Sequence, residues 1–175
     1  TVQSTVLNGS GFYSYQWQSS PTGVVGSWSD ITNQGNGANY AVPSSTAGTT
    51  YFRIIVTDTG SGCGTAVSTG VSVQVVNQPS VSVAADNEFI CIGGTSTITA
   101  TVTNGSGSYA YQWQSSPTGS APWANIGSNS SALNITGSAA GTTYYRVLLD
   151  DLNNGCNNPV SSAVPIVVSS GGSVT

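Results

Sequence analysis

Any chemistry in this chain has to come from a short inventory. It holds two basic residues, Arg53 and Arg146, six carboxylates and three cysteines, with no histidine and no lysine. A serine or cysteine nucleophile needs a neighbouring base, normally His or Lys, and neither residue type exists here. Carboxylates are the remaining acid–base option, but Asp150 and Asp151 sit together without a second acidic cluster nearby in the sequence. The chain is therefore read as non-catalytic. The run from Asp151 through Asn153 to Gly155 resembles an oxygen-rich calcium loop. It lacks the remaining ligands and the closing Glu, while calcium takes six to eight oxygens. A polar turn capped by Asp accounts for it, and neither a metal nor a cofactor is expected.

Composition narrows the partners. A net charge of -4 and a sequence pI near 4.1 leave almost nothing to neutralise phosphates, which argues against nucleic acid. Only 5% of residues are charged, and Gly, Ser, Thr and Asn fill the gap. Disorder does not follow, because hydrophobic residues still make up 38%, in short alternating runs with four Trp and eight Tyr. No apolar stretch approaches the roughly 20 residues of a membrane span. Without an initiator Met or a signal peptide, Thr1 is read as a processed end or the edge of a fragment.

The positions that carry this inventory recur. NGSGFYSYQWQSSPTG from Asn8 returns from Asn104 as NGSGSYAYQWQSSPTG. Trp28, Asp30 and Ile31 answer Trp123, Asn125 and Ile126. The run ending at Arg53 answers the one ending at Arg146, and Cys63 answers Cys156. A period of about 95 residues fits a whole sandwich domain of roughly 100 residues, not a solenoid repeat. Within the second copy, period-2 alternation predicts strands at Ser80–Ala85 (A), Thr95–Thr103 (B), residues 109–114 (C), around Leu133 and Ile135 (E), 143–149 (F) and 163–168 (G). The expectation is all-β: two tandem immunoglobulin-like β-sandwiches, repeat 1 over 1–77 and repeat 2 over 78–170. Aligning Thr1 with Thr97 starts repeat 1 inside strand B, without its strand A. The tail 171–175 resembles the opening of another strand A.

Four features resemble a known family. These are Cys-x-Gly-Gly from Cys91, Tyr-x-Trp in strand C, Gly-Thr-x-Tyr-Tyr-Arg in strand F, and the Asn-Gly-Cys loop before a Val-rich last strand. They are similar to the immunoglobulin-like and PKD-like tandem repeats of adhesins, gliding-motility proteins and extracellular fibrils of Bacteroidota-type bacteria. The resemblance implies an extracellular or cell-surface location and a role as spacer, adhesin or polymer subunit.

On that frame Cys91, before strand B, and Cys156, in the F–G loop, are expected near one end of repeat 2. A disulfide is expected between them, with two free thiols as the alternative. The partner of Cys63 would fall upstream of Thr1, leaving Cys63 unpaired within the chain. The missing first strand has two explanations: a longer covalent array, or a strand donated by another subunit. Head-to-tail repetition of the second builds a filament.

Four residues are candidates for surface contact: Trp28, Trp123, Arg53 and Arg146. Each arginine either stacks on the C′ tryptophan or pairs with a nearby carboxylate, or the residues form a face for glycans. Trp17 and Trp113 fit the buried strand-C tryptophan of such folds. Asn8, Asn104, Asn129 and Asn134 stand in glycosylation sequons, and the first two equally fit Asn-Gly turns. The function read from these features is a structural segment of an extracellular fibre. Its partners are copies of itself or neighbouring repeats; the alternative is an adhesin or glycan-binding module.

Overall fold

The computed structural model describes residues 1–60, 62, 64–152 and 156–170. Cys63, the 153–155 part of the oxygen-rich loop and the tail 171–175 lie outside the described residues. The described residues form strands, turns and loops, and no helix is long and apolar enough to cross a membrane. The chain divides into two compact units, Thr1–Val76 and Asn77–Thr175.

Unit 1 contains β1 (Val2–Gln3), β2 (Tyr13–Ser20), β3 (Ser29–Asp30), β4 (Asn39–Tyr40), β5 (Gly48–Asp58), β6 (Thr65–Val67) and β7 (Val71–Val75). Unit 2 contains β8 (Ser80–Ala85), β9 (Phe89–Cys91), β10 (Thr95–Thr103), β11 (Tyr109–Ser116) and β12 (Ala124–Ile126). It continues with β13 (Ala132–Thr136), β14 (Gly141–Asp151) and β15 (Val164–Ser169).

Unit 2 is a two-layer sandwich. One layer is ordered β13-β10-β8 and the other β12-β11-β14-β15-β9. Alternation turns Ile98 and Ala100 of β10, Trp113 of β11, Leu133 of β13, Val147 of β14 and Ile166 of β15 inward. Trp113 is fully buried, and its indole N–H donates to the Ser130 carbonyl at 2.8 Å, so its one polar group is satisfied. β8 pairs with β10 along six residues, bringing Val81, Val83 and Ala85 onto the core. β9 runs parallel to β15, with Ile90 beside Val168, and drops Ile90 into the core.

Strand β9 was not anticipated. Phe-Ile-Cys-Ile has no alternation, because a short edge strand need fix only one inward side chain, here Ile90.

Unit 1 repeats most of this plan. Val2↔Tyr40 in β1–β4 matches Ile98↔Leu133 in β10–β13, and the eight-residue β2–β5 pairing matches β11–β14. Trp17 is 2% exposed and donates to the Gly37 carbonyl at 2.9 Å. Among its described residues, unit 1 has no counterpart of β8 or β9, and its buried core shrinks to Val2, Trp17, Tyr40, Phe52 and Ile54.

The expected Cys91–Cys156 disulfide is not formed. Cys91 is an exposed free thiol on β9, opposite Ser169, whose hydroxyl lies 3.8 Å from its sulfur. That is the end where Gly141 starts β14, since Gly141 pairs with Val168. Cys156 follows Asp151, at the other end of the same strand. Its neighbour Asn157 donates its amide to Gln78, where the chain enters the unit. Ten residue steps at ~3.3 Å separate the ends by roughly 30 Å, whereas a disulfide needs Cα atoms within about 7 Å. The loop before strand B and the F–G loop lie at opposite poles.

Replacing Trp113 by Ala removes the central side chain of unit 2 and is expected to cost about 3–5 kcal/mol. Urea unfolding of the full chain followed by circular dichroism reads this. A loss below about 1 kcal/mol would show that the core does not depend on it.

Candidate functional site

Three arrangements outside the core could act on a partner. The first is a polar row across the outer face of the larger sheet. Register puts Gln18 beside both Arg53 and Asp30. The Arg53 Nε–H donates to Gln18 Oε1 at 2.7 Å, and Gln18 Nε2 donates to Asp30 at 2.7 Å. The guanidinium lies over the Trp28 ring, 4.4 Å from its centroid. Unit 2 repeats the row as Arg146 to Gln114 at 2.9 Å and Gln114 to Asn125 at 2.8 Å, with Arg146 4.0 Å from the Trp123 ring. All four contact candidates thus meet in pairs, and a face of each indole is used by an arginine. Trp28 also reaches across to Gly70, where a Cβ would come within 3.0 Å of the ring.

The second arrangement ties the loop before strand C to the end of strand F. Asp58 accepts the Ser10 amide at 2.8 Å, together with the Ser10 hydroxyl, and Asp151 accepts the Ser106 amide at 2.9 Å together with that residue's hydroxyl. The loop turns on left-handed residues, Asn8 and Gly9 in one unit and Asn104 and Gly105 in the other. A Cβ on Gly105 would strike the Asp151 carboxylate at 2.5 Å. Asp151 is thereby buried in a loop clamp. Among the described residues no three His, Cys, Asp or Glu side chains converge on a metal-sized site. Sequence reading left this clamp out, although its signal was present: Asn-Gly-Ser recurs in both copies, as does an Asp at the end of strand F.

The remaining sequons stand on exposed positions with structural contacts of their own. Asn129 accepts the Tyr111 amide at 2.8 Å, and Asn134 accepts the Thr97 hydroxyl at 3.0 Å.

The third arrangement is the open rim of unit 1. A groove of ≈ 420 Å³ runs between residues 3–7 and the β6–β7 segment, with Trp17, Ile54 and Val56 on its floor. A second opening of ≈ 550 Å³ lies where Tyr40 and Val42 face Val73 and Val75. Matching strands show the effect on exposure. Val71 is 49% exposed, while its counterpart Val164 is 7% exposed; Val73 is half-buried, while Ile166 is 1% exposed. Leu7, at the groove's lip, is 81% exposed.

In unit 2 the rim strand is held by a further clamp. The Thr97 amide and the Ser96 hydroxyl donate to Asp86 at 2.8 and 2.9 Å, fastening the end of β8 to the start of β10. These donors, the Thr97 amide first, hold the Asp86 carboxyl below its ordinary pKa.

With the geometry in place, comparison with known proteins identifies the domain type. Residues 1–77 and 80–170 match the model of a family described as Domain of unknown function (DUF8696). The chain belongs to that family. No curated protein matches it in sequence. In structure it is similar to the amphioxus IgVJ-C2 molecule, with 15% identity, a TM-score of 0.50, and coverage of 93% of this chain and 92% of that one. That likeness fixes the fold as immunoglobulin-like. The chain is also similar to the N-terminal eight Ig domains of Down Syndrome Cell Adhesion Molecule isoform 1.30.30, at 13% identity and a TM-score of 0.44, over 93% of this chain and 22% of that one. A third similar structure is that of the N-terminal four Ig domains of Dscam1 isoform 8.4, at 14% identity and a TM-score of 0.41, over 92% of this chain and 38% of that one. This chain therefore spans well under half the length of either of these last two.

Two outcomes follow. Because the folded-state pKa of Asp86 is depressed, its clamp contributes stability above the unfolded carboxylate value, about 3.9. That contribution is lost as pH falls through the lower folded-state value. Asp86→Asn should flatten the acid limb of unit 2 unfolding, and an unchanged acid profile would remove the clamp from the account. Separately, Arg146→Ala should cost unit 2 about 0.5–1 kcal/mol for the lost stack. Trp123→Ala should make that loss non-additive in a double-mutant cycle; strict additivity would show that the stack contributes nothing.

Proposed function

We propose that the chain is a structural segment of an extracellular or cell-surface fibre, in which immunoglobulin-like repeats follow one another head to tail. The observation that carries this reading is the tandem duplication: the family model matches twice, over residues 1–77 and 80–170, and the β2–β5 and β11–β14 pairings share one register. Repeats joined one after another through different surfaces do not close on themselves, and so extend.

Location follows from the same residues. A surface of hydroxyls and amides with few charges suits a secreted β-protein, as in the bacterial surface repeats that the motifs resemble. The chain supplies no His or Lys base beside a nucleophile, so the proposed role is mechanical rather than catalytic. A glycan-binding role would call on the Trp28 and Trp123 faces, and the arginines occupy one side of each ring.

Sedimentation velocity and negative-stain microscopy of the purified chain test the proposal. Linear oligomers that lengthen with concentration are expected. Monomers alone, at every concentration up to that of the most crowded sample, would sink the fibre reading.

A further inference from the structure

We propose that the outer face of unit 2 carries a binding site for a neutral hexose, centred on Asp150 and built partly from side chains that unit 1 replaces. The site is separate from the Trp28 and Trp123 faces, and it does not depend on the fibre reading.

Strand register assembles it. On the outer face of the larger sheet, Ala110 lies opposite Asp150 and Gln112 opposite Leu148. On the other side of β14, Leu148 bridges to Val160, and the Leu149 amide donates to the Pro159 carbonyl at 2.9 Å. That register carries Asn158 to the place beside Asp150. The short Ala110 side chain leaves a depression of ≈ 370 Å³, lined also by Gln112, Asn129, Leu148, Asp150 and Asn158. Such a volume falls at the lower end of ligand-sized clefts, roughly 300–1,000 Å³.

The fold aims the polar groups. The Asn129 side-chain oxygen accepts the Tyr111 amide at 2.8 Å, which leaves Asn129 Nδ2 as a donor. Gln112 is held the other way round. Its Nε2 donates to the Trp113 carbonyl at 3.0 Å and the Ile126 carbonyl at 3.3 Å, which leaves Oε1 as an acceptor. Among the described residues, neither the Asp150 carboxylate nor the Asn158 side chain has a hydrogen-bonding partner. These groups surround an apolar floor of Ala110 and Leu148, with Val160 alongside and 47% exposed. Two amides fixed by backbone groups lose little freedom when a ligand arrives.

Unit 1 shows that the sandwich does not require this set. By the Ser14↔Thr57 and Thr57↔Thr65 pairings, Ser14, Thr57 and Thr65 stand where unit 2 has Ala110, Asp150 and Asn158.

The chemistry selects the ligand. Neighbouring hydroxyls of a sugar ring can donate to both oxygens of the Asp150 carboxylate in charge-assisted bonds. Its other oxygens accept from Asn129, and the C–H face of the ring covers Ala110 and Leu148. An anion would meet Asp150 in a chain of net charge -4. Calcium takes six to eight oxygens and would find a single carboxylate here. An apolar ligand would strip water from the carboxylate without replacing it. A simple amine would pair with Asp150 and leave the Asn129 donor without an acceptor.

Amide NMR titration of the full, unglycosylated chain with the methyl glycosides of mannose, galactose and glucose tests the site. At least one should give saturable shifts with a Kd of about 1–10 mM. The shifts should fall on residues 110–112, 129, 148–150 and 158 and leave Ser14 and Thr57 unmoved. Asp150→Thr places the unit 1 residue at an exposed position. It should keep the folded spectrum and weaken binding about tenfold or more. Affinity should hold between about 50 and 500 mM salt, because the ligand is neutral. No saturable shift from any of the three sugars by about 100 mM, or full affinity in Asp150→Thr, would overturn the proposal. Shifts centred on the Trp28 or Trp123 indole would assign the sugar to the stacked rings and overturn it as well. So would salt-sensitive binding of methylammonium tighter than that of any sugar, which would make Asp150 a plain amine contact.

Discussion

A two-layer β core excludes water only where both layers reach its rim. In unit 2 the rim is made by one stretch of chain that serves both layers in turn, first as β8 on the smaller sheet and then as β9 on the larger. Everything apolar in the interior depends on that crossover. Val164 and Ile166 are buried in a core that Val81, Val83 and Ala85 of β8 help to cover, and the matching Val71 and Val73 of unit 1 are partly wet. At about 25 cal/mol per Å² of apolar surface, a few exposed valines weigh heavily in a domain of this size, whose core is small to begin with.

What does not depend on the rim is the hinge of the fold, the C–F strand pair with its buried tryptophan. The β2–β5 and β11–β14 pairings share register over eight residues, and each indole donates to a carbonyl in the following loop. At the same pole, Asp58 and Asp151 seize the loop before strand C. Across the outer face, the sequence's only two Arg side chains form matching Arg–Gln pairs, each with its guanidinium over a tryptophan ring. The repetition of these details in both units, with so few charges to distribute, marks them as parts of the scaffold.

Much of this was legible in the sequence because it is periodic. Alternation located β8, β10, β11, β13, β14 and β15 of unit 2, and the duplicated Tyr-x-Trp motif located the core's centre. The stacking of Arg53 on Trp28 was open to two readings, since a strand position fixes which face a side chain takes but not what lies above it. Three things escaped for geometric reasons. β9 is three residues long and pairs in parallel with a strand some 80 positions away, so nothing local announces it. The cysteine placement failed through β9 too: Cys91 reads as a loop residue near the F–G turn until the strand is seen to carry it to the opposite pole. The clamp on Asp86 was equally invisible, because its donors belong to a neighbouring strand.

The poles have a consequence for how such units act together. If each repeat takes its rim from a strand that it does not own, the folded core and the joint become the same interaction. Stability is then linked to assembly by mass action: whatever binds the native rim raises the cost of unfolding the unit behind it. A chain of such units resembles a linear lattice with nearest-neighbour coupling, where isolated members are weak and interior members are firm. In unit 2 that coupling would run through Ser80–Cys91, which joins both layers.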